Sequence, residues 1–263
     1  MLQVLLSMNS NNITRLKRGA IFGVASLLIG PFSRASDAQE PLRKVPEQVI
    51  QPLNEISGIS YRDVYQQILS FEKYAGPKQH IQNNFLMIPH EANLSRQELN
   101  LSLIGDSIKL KLAVDEVGRI LVPISSVAYK EDAKIVLNTN PSLYTFKFAI
   151  SLTPQSAGVY RTEQLRNACA EAADYLQTVV QIARLKKHCV GVKFAFLKSN
   201  GRALVSFKSE KNKTTKLPMI AQEVFSETTS PLFSNAIFLF ANFPEKGQIN
   251  SYSTPAAIVP IVE

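Results

Sequence analysis

The chain has 263 residues and no tryptophan, and it is poor in three residue types that build common sites: two cysteines, three histidines and 11 glycines. A zinc centre needs three or four ligands brought together, and His80, His90 and His188 stand at no ligand spacing. His90-Glu91 follows Pro89 in what reads as a loop, so no metal-ligand set is expected. No glycine-rich phosphate loop is present, so no nucleotide or other cofactor is expected. Long apolar runs are absent as well. Ala20–Ile29 (AIFGVASLLI) falls far short of the roughly 20 residues that cross a bilayer.

What that short run does fit is a secretory signal. Arg15, Lys17 and Arg18 precede it, Gly30-Pro31 breaks it, and Ser36-Asp37-Ala38 places small residues before a cut after Ala38. No cysteine near the cut would carry a lipid, and no Arg-Arg pair precedes the run, which favours export of an unfolded chain. Met8 is an alternative start. The expectation is a signal over 1–38, an extended lead-in over 39–58 and a periplasmic protein with no transmembrane segment after cleavage.

The signal holds four bases and one acid, leaving 25 Lys+Arg and 20 Asp+Glu in the remaining 225 residues, a net charge of +5. A mild basic balance favours anionic neighbours. The densest bases are Lys208, Lys211, Lys213 and Lys216 with Glu210 among them, which reads as a solvated hairpin. Nucleic-acid binding has no motif here. The expected partners are an envelope protein or an anionic glycan.

Tyr61, Val64, Tyr65, Ile68, Leu69 and Phe71 recur at helical spacing after Ser60, predicting a helix over 60–74 stopped by Gly76-Pro77. From Leu99 the period becomes two. Ile108, Leu110, Leu112 and Val114 alternate with Lys109, Lys111 and Ala113, and a turn at Asp115–Gly118 returns a strand over Arg119–Val122. Ala133–Leu137 and Leu143–Leu152 follow as strands. Thr162–Lys187 reads as one long helix. Its apolar stripe is Leu165, Ala168, Cys169, Ala172, Leu176, Val179, Val180 and Ala183, with acids early and Arg184, Lys186 and Lys187 late. Strands return at 191–197, 203–208, 216–220, 235–243 and 248–253. The expected fold is α+β and mostly β, with one or two sandwich-like sheets and a connecting helix over 162–187. Its parts are 59–158 and 159–263, or one continuous domain.

Motifs for chemistry are weak. Ser70-Phe71-Glu72-Lys73 matches the Ser-x-x-Lys of penicillin-binding proteins, where the lysine helps deprotonate the serine. Only Lys213-Thr214-Thr215 approaches the second element of that machinery, and the third is missing, so the match reads as coincidence. Gly105-Asp106-Ser107 lacks the second glycine of a nucleophile elbow and reads as a turn. Asn93, Asn100 and Asn212 begin Asn-x-Ser/Thr triplets without default meaning in a bacterium. Cys169 and Cys189 suggest a disulfide in an oxidising compartment. A helix running straight to Lys187 argues against it: Cys169 would lie about 27 Å before the helix end, and a bridge needs Cα atoms within about 7 Å. Only a break near Gln177–Gln181 would permit the bond.

Three blocks, Leu112–Pro123 (LAVDEVGRILVP), Ala133–Pro141 (AKIVLNTNP) and Pro154–Leu165, resemble an uncharacterised family of exported proteobacterial proteins. Its Asp-x-x-Gly-Arg hairpin precedes an Asn-x-Pro turn and a Tyr-Arg helix start, here Tyr160-Arg161. The resemblance implies no activity. The hairpin is also similar to carboxypeptidase-regulatory and transthyretin-like sandwiches at the level of fold.

The sequence therefore predicts a non-enzymatic binding or structural protein of the cell envelope, with no catalytic, cofactor-binding or metal-binding residue. The competing reading is a hydrolase acting on an envelope polymer. A pocket of close, perturbed titratable groups would favour the hydrolase, and a shallow apolar groove the binding module. One further expectation is a repeat: DAKIVLNTNP (132–141) and NAIFLFANFP (235–244) match in pattern, which would make 98–153 and 191–254 copies with a ligand groove at their seam.

Overall fold

The computed structural model describes residues 58–91, 99–155, 158–179 and 188–263. The signal over 1–38, nearly all of the lead-in and Asn93 lie outside the described residues. In chain order the first elements are β1 (Ile59–Ser60), α1 (Tyr61–Lys73), β2 (Ile81–Pro89), β3 (Leu101–Ile104), β4 (Lys109–Leu112), α2 (Ser126–Lys130), β5 (Lys134–Leu137) and β6 (Tyr144–Leu152). Then come β7 (Val159–Arg161), α3 (Thr162–Thr178), β8 (Cys189–Leu197), β9 (Val205–Ser209) and β10 (Thr214–Lys216). The last are β11 (Met219–Ile220), β12 (Phe233–Leu239), β13 (Gly247–Ser251) and β14 (Ala257–Val262).

The protein is α+β and mostly β. Its strands form three antiparallel sheets: β1-β5-β3-β4, β10-β9-β13-β7 and a six-stranded β11-β12-β8-β14-β6-β2. Gln51–Glu263 is one compact unit, and strands from before and after residue 158 share the six-stranded sheet. No helix among the described residues is long and apolar enough to cross a membrane.

The period of two along β8 divides the structure into layers. Val192, Phe194 and Phe196 face a core completed by Leu165, Cys169, Ala172 and Tyr175 of α3 and by Phe207 and Ile249 of the second sheet. Ala195 and Leu197 face the other way, onto Val224, Phe233 and Val117. The same face of β2 and β6 changes its cover along its length. Ile81, Ile150 and Leu152 lie in the core under α3, while Phe85 and Met87 join Tyr61 and Val64 of α1 and Leu101 and Ile135 of the first sheet.

α1 forms where the sequence predicts it. The Ser60 hydroxyl caps it by accepting from Asp63 N at 3.4 Å. α3 departs from expectation at its far end. It stops at Thr178, with Val179 as cap, rather than at Lys187. Thr178-Val179-Val180 is a β-branched run, which lowers helix propensity slightly. Residues 180–187 lie outside the described residues. The stripe lands on the sheet, but Leu176 and Val179 are only partly buried, and the deepest large side chain is Tyr175.

The early stop permits the Cys169–Cys189 disulfide, with Cα atoms 5.5 Å apart, and so removes the geometric objection to it. Three more expectations are corrected. The predicted strand over 216–220 is two short strands in different sheets, turned at Leu217-Pro218. Arg119–Val122 does not form a full strand; it is tied by single bridges, Leu86 to Arg119 and Val114 to Ile120. Leu110, on the edge strand β4, remains 45 % exposed although its cross-strand neighbour Leu103 is buried.

The repeat is also overturned. In 98–153, β3 pairs with both β4 and β5, while β6 joins another sheet. In 191–254, β8 pairs with β12, and β9 with β10 and β13. The strand orders differ, so the parts are not copies, and the ligand groove expected at their seam falls with them.

Candidate functional site

The first turn of α3 and the facing ends of β9 and β13 border an open, shallow cleft of about 410 Å³. Three distant segments meet there: β9 pairs with β13, and Thr162 fastens α3 to β13. Its hydroxyl donates to the Gly247 carbonyl at 3.2 Å and accepts from Gly247 N at 3.1 Å. Glycine is required at 247: a Cβ there would lie 2.7 Å from the Phe207 ring.

Arg161, Lys208 and Lys246 bring positive charge to the cleft, and Glu163 and Glu210 bring negative charge. Lys246 Nζ stands 4.0 Å from Glu163 in an exposed pair, a geometry with little net attraction. Arg161 is the cap residue of α3 and gives no side-chain cap bond to the first-turn N–H groups. Ser209 also lines the cleft and is only 6 % exposed. Its main chain serves the β9–β10 turn, donating to Lys213 O and accepting from Asn212 N, both at 2.9 Å. Asn212 holds φ 62 at the turn tip, a conformation asparagine tolerates, and with Gln248 adds neutral amides to the lining.

The sequence candidates lie elsewhere. Ser70 Oγ donates back to Gln66 O at 2.8 Å, within α1, which satisfies the hydroxyl locally. Ser107 is a turn residue: its N–H donates to Glu131 Oε2 at 3.0 Å and its hydroxyl to Glu131 Oε1. Those two bonds hold the Glu131 carboxyl below the usual carboxylate range. The histidines do not converge. His80 meets Glu171 at 2.7 Å, His90 meets Thr145 at 2.9 Å, and His188 pairs its main chain with Glu263. Tyr74 donates to Asp174, and burial, with that bond and the neighbouring carboxylates, pushes its phenol up. These contacts stitch residues 74–80 onto α3. Among the described residues no group of three or more His, Cys, Asp and Glu is placed to hold a metal.

The Asp-x-x-Gly-Arg motif is structural. Asp115 Oδ1 accepts from Val117 N and Arg119 N at 3.0 and 2.8 Å, Arg119 Nε donates to Asp115 Oδ2 at 2.5 Å, and Gly118 takes φ 88. Beyond this hairpin an apolar groove of about 310 Å³ runs between Ile68, Phe85, Phe148 and Ile120. Leu121 and Ile124 on its rim are 71 % and 58 % exposed.

Lys193 on β8 is only 8 % exposed. Its amine donates to the carbonyls of Glu223 and Ser226 at 3.0 and 3.2 Å, pinning the loop after β11 to the second face of the six-stranded sheet. Beside it the buried Asn235 donates to Gln222 O at 2.7 Å and leaves Oδ1 without a partner. Burial pushes the Lys193 amine down to about 8, against the pull of Glu227 and Glu223 and with help from Lys147. The folded protein therefore holds fewer protons than the unfolded chain between about pH 8 and the ordinary lysine value of 10.5. This group's contribution to stability rises across that window. The difference in melting temperature between wild type and Lys193→Met is expected to move in favour of wild type from pH 8 to pH 10.5. A difference that stays flat with pH would refute the assignment.

Sequence reasoning missed the cleft because its residues come from three segments, and it set the 208–216 bases aside as a solvated hairpin. Lys211 and Lys213 are exposed as that reading requires, but Lys208 faces the cleft. No protein-family model, curated protein or solved structure matches this chain.

Proposed function

We propose that the protein is exported to the periplasm and there binds, without catalysing a reaction, an anionic component of the cell envelope in the cleft at the start of α3. The observation that carries this reading is the gathering of Arg161, Lys208 and Lys246 around one cleft beside an uncapped helix start. Two features support export: the charge and apolar pattern of residues 1–38, and a disulfide of the kind that persists in oxidising compartments. Binding is favoured over hydrolysis because the hydroxyls lining the cleft lack an activating base. Thr162 is engaged with Gly247, and Ser209 bonds through its main chain to Lys213 and Asn212.

Binding of a polyanion such as heparin, measured against salt, tests the site. Wild type should bind at low salt and release as salt rises. Replacing Arg161, Lys208 and Lys246 together by alanine should weaken binding at least about tenfold, since charged hydrogen bonds contribute about 1.5–3 kcal/mol each. Equal binding by the triple variant would remove the cleft from the reading. Sequencing the N-terminus of protein from a periplasmic extract should find Gln39 first; residues 1–38 retained in the membrane fraction would remove export.

A further inference from the structure

Anion binding leaves open what carries the charge, and the sheet face that continues from the cleft narrows the choice. Resting on that reading, we infer that the outer face of the sheet β10-β9-β13-β7 docks on a bilayer surface displaying anionic lipid headgroups.

The strand period of two sets this face apart. Val205, Phe207, Ile249 and Tyr160 belong to the core under α3, so the residues between them point outward. Register aligns those residues in rows across the four strands. Thr214, Lys208, Gln248 and Arg161 form the first row. Lys216, Ser206, Asn250 and Val159 form the second, about 6.7 Å further along the strands. The pairing runs on for one short third row, in which Tyr252 N–H donates to the Leu204 carbonyl at 3.2 Å. Lys208, Gln248 and Arg161 also line the cleft, so cleft and face are continuous.

The face is graded from basic to apolar. Lys208, Arg161 and Lys216 stand in its first two rows, and Lys211 and Lys213 are exposed on the adjoining turn. Neither row contains an acid. Glu163, Glu210 and Glu245 lie at the cleft end, beyond the first row. Val159, Leu204 and Tyr252 close the opposite end and are 39 %, 38 % and 75 % exposed. Arg202, two residues before Leu204, is exposed as well, and such a side chain lays its stem along apolar surface while its charge stays in water.

Two independent features of the face select the partner. Charge complementarity selects an anionic surface, where each lysine or arginine strengthens partition about fivefold. The apolar end selects lipid. A dissolved anion or a glycan chain satisfies the bases but offers nothing to Val159 and Leu204, whereas a bilayer supplies headgroup charge and hydrocarbon side by side. Exposed apolar clusters rimmed by polar residues mark contacts with membranes or proteins. Tyrosine favours the headgroup level in particular, its ring apolar and its hydroxyl wet.

Co-sedimentation with vesicles of phosphatidylcholine, with and without phosphatidylglycerol, tests this at low salt. The protein should sediment with the mixed vesicles and stay in solution with the neutral ones. Lys216→Ala lies outside the cleft and should weaken vesicle binding about fivefold. The double variant Leu204→Ala/Tyr252→Ala should weaken it about tenfold and leave heparin binding unchanged. The chain has no tryptophan, so Tyr252→Trp supplies a single reporter. Its emission should shift to the blue with mixed vesicles and stay in place with heparin. Heparin binding without sedimentation overturns the lipid surface while leaving anion binding in place. So does sedimentation that ignores the Leu204/Tyr252 double variant, or a reporter that vesicles do not move. Failure of heparin and vesicles alike removes both.

Discussion

Truncating Phe238 to alanine is expected to destabilise the protein by about 4 kcal/mol, within the range of about 3–5 kcal/mol for buried phenylalanine. The side chain is fully buried on β12, and its ring lies 4.9 Å from Phe243, 5.7 Å from Phe207 and 5.9 Å from Phe240. Each such ring pair adds about 0.5–1.5 kcal/mol beyond area burial. β12 is held between β8 and β11, so the backbone cannot close over the vacancy. A loss of this size is a large share of the about 5–15 kcal/mol that ordinary domains possess. Urea unfolding measures it, with Leu121→Ala as reference, since Leu121 is mostly exposed and its truncation should fall within about 0.5 kcal/mol of wild type. A Phe238→Ala cost near that of Leu121→Ala would mean that the face of β12 is misassigned.

Removing the Cys169–Cys189 bond is the second large effect. The bond closes a loop with a sequence separation of 20, for which restriction of the unfolded chain is worth about 3 kcal/mol. Cys169 is fully buried beside Gly191, so alanine is the better replacement; serine would bury a hydroxyl. The double variant Cys169→Ala/Cys189→Ala and the wild type under a reductant should both melt several degrees below the oxidised wild type. The reductant should not move the double variant. Identical melting of oxidised and reduced wild type, or two free thiols by mass, would show that the bond does not form.

The legible parts of the sequence were those whose burial follows one period. α1 declares itself through Ser60 and a clean apolar stripe. The first turns of α3 bury Leu165, Ala168, Cys169 and Ala172 as their spacing predicts. β2 was hidden because Phe85, Leu86 and Met87 are all buried in succession. Leu86 is covered on the far face while its neighbours face α1, so no alternation survives. β14 was hidden by Pro260, which argues against a central strand. Its pairing with β6 is confined to Ile258 opposite Leu152, so at Pro260 the strand has a neighbour only in β8. The disulfide turned on where α3 stops, and no glycine or proline marks that place. Of the cleft, only the basic cluster could be seen. Its acid counterparts have meaning only once β9, β13 and α3 meet.

The position of β14 constrains the order in which the molecule can be assembled. It is the last of the strands in chain order, yet it lies between β8 and β6 in the middle of the six-stranded sheet. Until it arrives, β6 with β2 and β8 with β12 are two separate hairpin-like pieces whose facing edges are unsatisfied. Exposed strand edges of that kind invite pairing with other chains. A chain emerging N-terminus first thus cannot close this sheet until β14 has emerged. Closure then joins segments more than 60 residues apart, the slow kind of step in folding. Such a topology concentrates the aggregation risk in the interval after β6 and β8 have emerged and before β14 joins them.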